Sequence, residues 1–270
     1  MAPELVRVER RGAVGLLVFE DPERRNAMTE AMGRALASAV AALAGDPALR
    51  AVVLTGAGPA FSAGGDLDLI ESRARAGRSE PGEPTRSRNR AFMRDFYGLF
   101  LSVRGLPCPS IAAIQGAAIG AGLAVALACD LRVAARDAKL GLNFARLGIH
   151  PGMGSSWTLP RLVGPAHAGD LLLTGRSIDG AEAERIGLVN QAVEREAVVP
   201  RALAWAAEIA ECAPLAVRGA KRSLAQALAV SLDEQLDCEA EQQAFCYETT
   251  DLAEGLRAAR EKRAPRFVGR

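Results

Sequence analysis

Two stretches of small residues are where this chain could do chemistry. The first, Thr55-Gly56-Ala57-Gly58-Pro59-Ala60-Phe61-Ser62-Ala63-Gly64-Gly65-Asp66-Leu67, follows directly on the apolar run Ala51–Thr55. The second, Gln115-Gly116-Ala117-Ala118-Ile119-Gly120-Ala121-Gly122, follows Ile111–Ile114 in the same way. In each, a strand runs into a loop of glycine and alanine, and the loop opens a helix. Such a loop presents backbone N–H groups with no side chain in the way, at the positive end of a helix. Two loops of this kind can bring one donor each to a single oxygen, and donors aimed in advance at a developing negative charge lower a reaction barrier by a few kcal/mol. An ordinary tight turn explains the first loop equally well on spacing alone. Three other chemistries are excluded. Phe61 stands where a dinucleotide fingerprint needs its third glycine, no phosphate-binding GK[ST] occurs, and no GxSxG nucleophile elbow occurs. His150 and His167, the two histidines, are too far from any paired cysteines to build a zinc site, so no metal is expected.

The elements that must position these loops follow from periodicity. Leu5–Glu9 and Val14–Glu20 read as two strands joined at Arg11-Gly12, the second apolar enough to be buried. Thr29 caps a helix whose Met32, Leu36, Val40 and Leu43 share one face, ended by Gly45-Asp46-Pro47. Ala51–Thr55, Ile111–Ile114 and Leu131–Ala134 are short buried strands, so strand, loop and helix recur without residue-level repetition. A helix is expected over Leu67–Ala74. Residues 72–90 carry six arginines with Pro81, Gly82 and Pro84 and no large apolar side chain, which reads as a solvated, mobile excursion. Beyond Asp179, which forms a capping pair with Glu182, helices are expected at 197–212, 214–229, 231–247 and 250–262.

Composition narrows the class. The chain has 270 residues, 49% of them hydrophobic and 4% aromatic, with 33 basic against 32 acidic side chains. That length closes a core without disulfides or metal. The near-neutral balance and scarce aromatics give no footing for nucleic acid or an anionic membrane. Cys108, Cys129, Cys212, Cys238 and Cys246 are odd in number and scattered, as in a reduced chain. With no apolar leader in MAPELVRVERR and no membrane-length apolar run, the cytoplasm is the expected compartment.

Taken in order along the chain, the segments Pro22-Glu23-Arg24-Arg25-Asn26-Ala27, Phe61 to Leu67, Gly120-Ala121-Gly122 through Ala128-Cys129-Asp130-Leu131, Arg146 to Gly152, Leu173-Thr174-Gly175-Arg176, Ala181 to Val189 and the tail Glu254 to Pro265 resemble the crotonase superfamily, the enoyl-CoA hydratase/isomerase family, over essentially the full length. The resemblance implies an α/β fold: a crotonase-like ββα spiral core over 1–195 that carries the acyl-CoA site, and a C-terminal helical trimerisation region over 196–270. It implies a homotrimer or homohexamer, with coenzyme A present as part of the substrate and no separate cofactor. It implies two backbone donors for the thioester oxygen, by position Ala63 and Ala121, with Gly64, Gly65 and Asp66 also at the CoA site. Arg25, the arginine-rich segment and Lys262, the last from a neighbouring subunit, are implied near the CoA phosphates.

The chain also departs from that family. Hydratases of the family use two glutamates on water, and the corresponding positions are Ala124 and Phe144. Some isomerases carry an aspartate where this chain has Gly152. None of the three can transfer a proton, whereas backbone donors survive any side-chain change. Ring-modifying isomerases of the family share the AGAG-type turn, the phenylalanine at 144 and a TLPR-like run at Trp157-Thr158-Leu159-Pro160-Arg161. His150 is the leading candidate for acid–base work, since an imidazole gives and takes protons near neutral pH; a structural histidine is the alternative. Asp68, Glu71 and Asn143 are candidate polar contacts, the two carboxylates serving equally as charges at a helix N-terminus. Asp130 reads as structural and His167 as a surface residue. Ser155-Ser156 beside His150 lacks the acidic partner of a hydrolase triad. The expected activity is an acyl-CoA lyase or isomerase step through an enolate. The alternatives are a catalytically silent acyl-CoA-binding subunit, or a CoA-thioester decarboxylase or hydrolase of the same fold.

Overall fold

The computed structural model describes residues 4–270. The expectation drawn from MAPELVRVERR falls partly on residues 1–3, which lie outside the described residues. Strands β1 (Val6–Arg11) and β2 (Val14–Phe19) form an antiparallel hairpin, with Gly12 at φ 60° making the turn. β2 is buried along its whole length because helix α1 (Glu30–Ala44) and the rest of the sheet cover it. Thr29 accepts the Met32 N–H at 3.2 Å, capping α1, and Met32, Leu36, Val40 and Leu43 face the core as their spacing requires.

A ββα pattern then winds along the chain. β3 (Ala51–Gly56), β4 (Ala60–Ser62) and α2 (Leu67–Ser79) form one turn, and α3 (Glu83–Leu101) follows. β5 (Ser110–Ile114), β6 (Ala117–Ile119) and α4 (Ala121–Ala128) form the next. β7 (Leu131–Ala135), β8 (Leu140–Gly141) and α5 (Ser155–Thr174) form a third, followed by β9 (Ser177–Ile178), α6 (Gly180–Arg185) and β10 (Gln191–Val193). The first strand of each turn joins a six-stranded sheet of order β1-β2-β3-β5-β7-β10, and the second joins a four-stranded sheet of order β4-β6-β8-β9. β3 pairs with β5 and β4 with β6, both in parallel, so successive loops leave the same ends of their sheets side by side. That is how two loops far apart in sequence become neighbours.

The segment 72–90 is not a mobile excursion. It forms most of α2 and the first turns of α3. Its arginines make a solvated helix face: Arg75 reaches Glu71 at 3.0 Å, and Arg88 reaches Glu80 at 3.1 Å and the Thr85 hydroxyl at 2.9 Å. Arginine is a good helix former, and Pro84 sits in the first turn, where its missing N–H costs nothing. The apolar stripe that anchors α3, including Phe92, Phe96 and Phe100, begins just beyond the charged run. The stretch 155–174, left unassigned from sequence, is α5, two helices joined end to end at Gly164 (φ 73°, ψ 166°).

Helices α7 (Val198–Ala210), α8 (Pro214–Gln226), α9 (Leu232–Tyr247) and α10 (Thr250–Glu261) lie within the expected ranges. α7 packs on β3, β5 and β7 through Val198, Ala202 and Ala206. Asp130 is structural, as expected. It accepts from the Ser110 N–H and hydroxyl at 2.7 and 2.8 Å, and Lys221 of α8 reaches it at 2.8 Å. α9 buries none of its residues, leaving Leu232, Leu236 and Phe245 exposed. Among the described residues, no helix is long and apolar enough to cross a membrane.

Candidate functional site

The first small-residue loop is held by a turn upstream of it. Asn26, fully buried at a left-handed φ of 54°, donates to the carbonyls of Ala57 and Ala60 at 2.9 and 2.8 Å and accepts the Asp21 N–H at 2.9 Å. The Ser62 hydroxyl donates to the Asn26 carbonyl at 2.8 Å and accepts the Gly64 N–H at 3.1 Å. The Ala63 N–H donates to the Arg25 carbonyl at 2.8 Å. Met28 brackets the next residue, its N–H reaching the Gly64 carbonyl at 2.8 Å and its carbonyl receiving the Asp66 N–H at 3.3 Å. Every amide from Ala63 to Asp66 is thereby spent except that of Gly65, which has no partner among the described residues.

The expectation for Ala63 is therefore corrected. Its N–H is consumed by Arg25, and the unspent donor lies two residues on, at Gly65. Spacing could not separate the two, because the acceptor belongs to a turn almost forty residues upstream in sequence (about 38 residues) and loops expose several amides alike.

The second loop leaves its own donor unspent. Ala121 is the first residue of α4, and the first intrahelical bond starts later, at Ala124 N–H to the Gly120 carbonyl, 3.1 Å. Gly120, at φ 54° and ψ −120°, turns the chain from β6 into α4, and its N–H is fixed on the Gly141 carbonyl at 2.7 Å. The two loops touch at Gly64. At φ 91°, a Cβ there would press on the Ile119 carbonyl and come within 3.5 Å of the Ala121 nitrogen. Only glycine allows that approach.

Gly65 and Ala121 line one cavity of about 900 Å³. The rest of its wall comes from α2, α3 and the segment 143–153. Ile70, Met93, Phe96, Phe144 and Met153 make it largely apolar, the usual character of a small-molecule site. Arg24, Asp66 and Asp68 line the part of the cavity next to the first loop. Asp66 caps α2 by accepting the Leu69 N–H at 3.0 Å and is ion-paired with Arg24.

The expected residues divide accordingly. Gly64, Gly65, Asp66, Asp68, Ala121, Asn143, Phe144 and His150 line the cavity, as does Ala63 despite its spent amide. His150 is exposed at the rim. Its Nδ1–H donates to the Pro151 carbonyl at 2.8 Å, and Nε2 has no partner among the described residues. Ala124 is buried away from the lining. Gly152 is also off the lining, with the Tyr97 hydroxyl where its side chain would stand. Arg25 is exposed and is not among the residues that line the cavity, whereas its neighbour Arg24 is. Lys262 caps α10 at φ 52° and does not line the cavity of its own chain. Glu71 faces solvent with Arg75, and His167 is exposed. Ser155 is buried with its hydroxyl donated to the Gly152 carbonyl at 2.7 Å, so it is not a free nucleophile. Sequence reasoning missed Arg24, Ile70, Met93 and Tyr97. The helical spacing from Met93 to Tyr97 was the available signal, hidden behind the charged run that precedes it.

The chain is similar to known proteins in both sequence and fold. The family model described as enoyl-CoA hydratase/isomerase matches residues 9–270. A putative enoyl-CoA hydratase of Thermus thermophilus is 40% identical over 263 residues, covering 97% of this chain and 100% of the relative. The human mitochondrial methylglutaconyl-CoA hydratase is 38% identical over 266 residues, covering 97% of this chain and 75% of its own. The crystal structure of an enoyl-CoA hydratase from Bacillus anthracis superposes with a TM-score of 0.89 at 34% identity, covering 98% of this chain and 100% of that one.

Proposed function

The chain belongs to the enoyl-CoA hydratase/isomerase family, and from that we propose that it binds an acyl-CoA thioester and stabilises the enolate by holding its oxygen between the N–H groups of Gly65 and Ala121. The observation that carries this reading is the pair of unspent amides on two touching loops at one end of an apolar cavity. A thioester carbonyl accepts weakly in the ground state and strongly as charge gathers on it, so the same two donors favour the transition state over the substrate. The oxygen is gripped by main chain, so the reading does not depend on the residues at 124, 144 and 152.

Those positions do shape the chemistry. With Ala124 and Phe144 where hydratases of the family have glutamates, water has no carboxylate pair to activate it. We assign a lyase or isomerase step instead, with His150 as the acid–base group; its free Nε2 at the cavity rim supports that role. Coenzyme A enters as part of the substrate, its phosphates drawn to arginines such as Arg24 at the mouth. The exposed apolar side chains of α8, α9 and the turn between them, among them Leu224, Leu228, Leu232 and Leu236, support assembly as a homotrimer or a pair of trimers through the region after residue 195. Five free thiols fit a reducing compartment such as the cytoplasm.

The test is Ala121→Pro. Proline is tolerated at the first position of a helix; it removes the N–H in question and sets its ring Cδ in that hydrogen's place. Turnover of an enoyl-CoA substrate should fall about 10²- to 10³-fold. The variant should keep its melting temperature and its affinity for free coenzyme A. Full turnover in a folded Ala121→Pro protein rules the reading out.

A further inference from the structure

The hydroxyl of Tyr97 is a polar group in the cavity for which the chain supplies no use. Tyr97 lies on α3 and lines the cavity beside Met93, Phe96 and Met153. Its hydroxyl makes no hydrogen bond among the described residues, yet it remains accessible from the cavity. A Cβ on Gly152 would come within 2.6 Å of that oxygen and 3.1 Å of the ring carbon bearing it. The phenol therefore occupies the space that any side chain at 152 would take, and the absence of one at Gly152 is what admits it. A phenol that opens onto a cavity among apolar side chains, with no partner among the described residues, has its O–H available to a polar atom of a bound ligand.

We propose that Tyr97 determines which acyl group the site accepts, by donating a hydrogen bond to an oxygen carried on the acyl chain. The proposal rests on the acyl-CoA reading above and adds the class of acyl group to it: an oxo- or carboxy-acyl thioester rather than a plain alkanoyl one. Donation is the direction the chemistry favours. Burial pushes the Tyr97 phenol above its ordinary value, so it stays protonated throughout the neutral range and offers an O–H. The nearby polar groups are placed differently. The guanidinium of Arg73 lies over the Phe92 ring at 4.3 Å, and His150 is tied at Nδ1 to Pro151. A site built to satisfy a polar group on its ligand discriminates against the analogue that lacks it more strongly than an apolar pocket discriminates by size.

The test is a calorimetric titration of wild type, Tyr97→Phe and Gly152→Ala with four ligands: butyryl-CoA, acetoacetyl-CoA, succinyl-CoA and free coenzyme A. The three acyl groups share a four-carbon length and differ in whether and where they carry oxygen. Wild type should prefer at least one oxygenated thioester over butyryl-CoA, and Tyr97→Phe should lose about tenfold for that ligand alone. Gly152→Ala keeps the phenol but displaces its hydroxyl, and should reproduce the loss. Which oxygenated ligand responds tells whether the oxygen sits at the third carbon or at the chain end. The proposal is overturned if Tyr97→Phe binds every ligand as wild type does, or loses the acyl ligands equally. Wild type that binds the thioesters without discriminating overturns it while sparing the acyl-CoA reading. Wild type that binds no thioester overturns both.

Discussion

The cavity has two walls built on different principles. One is main chain: the loops at 63–66 and 119–122, with the Ala63 and Asp66 amides and the Gly64 carbonyl engaged by the 21–28 turn and the Gly120 amide by the Gly141 carbonyl. The other is side chain: Ile70, Met93, Tyr97, Phe144 and His150, carried on half-exposed helices and on the 143–153 segment. The first wall offers the same two donors whatever side chains surround it. The second is free to change, and it holds Phe144 rather than a group that can transfer a proton. A site so divided can keep its grip on a thioester oxygen while the chemistry done on the acyl group drifts. Backbone placement depends on packing and hydrogen bonds spread over many residues, whereas a side-chain role is lost in one substitution.

If the division is right, disturbing the main-chain wall should cost stability and function together. The largest effect is expected from Gly64→Ala. Its Cβ meets the Ile119 carbonyl, and φ 91° strains any other residue. Unfolding free energy should fall by about 3 kcal/mol or more, with turnover lost as the loops part. Chemical denaturation gives the first number and an enoyl-CoA assay the second. Asn26→Ala acts one step further back. It removes the two donated bonds that hold the 57–60 backbone against the 21–26 turn and the one accepted bond that closes that turn. A loss of about 3 kcal/mol is expected, with the Gly65 amide left less well aimed. An Asn26→Ala protein of unchanged stability would mean that the loop holds itself.

The side-chain wall should behave in the opposite way. His150 is exposed and makes only a local bond to Pro151, so His150→Ala should leave the melting temperature alone while lowering kcat about 10²-fold. A variant with wild-type kcat across the pH range removes His150 from the mechanism and leaves the enolate grip untouched.

The same division decides what was legible in the sequence. The strand–loop–helix order, the capping roles of Thr29 and Asp179 and the C-terminal helices were readable, because each depends on residues within a turn or two of one another. The two donor loops were readable as places. Which amide in the first loop is unspent was not, since it is decided by the Arg25 and Met28 carbonyls, brought up by tertiary folding. The helix expected over Leu67–Ala74 is present and runs on to Ser79, but α3 was missed because charge and proline dominate 72–90, while the apolar stripe that pins α3 lies beyond it. That one error hid Met93 and Tyr97, and with them much of the side-chain wall.

The smallest effect tests the seam between the walls. Ile70 is partly exposed on α2, and its Cδ1 lies 3.3 Å from the point where a Cβ of Gly65 would stand. It is the side chain that backs the free amide. Ile70→Ala removes that backing without touching a hydrogen bond. The expected cost is about 1 kcal/mol of substrate binding, a KM about fivefold higher, since a half-exposed site can take up water or relax. The fall in kcat is the informative quantity. If the main-chain wall is rigid by itself, kcat should stay within about twofold of wild type, because the bonds from Arg25, Ser62 and Met28 still fix the residues on either side of Gly65. A kcat that drops as steeply as in His150→Ala would show that the amide is aimed by the side chain behind it, and the two walls would then be one structure.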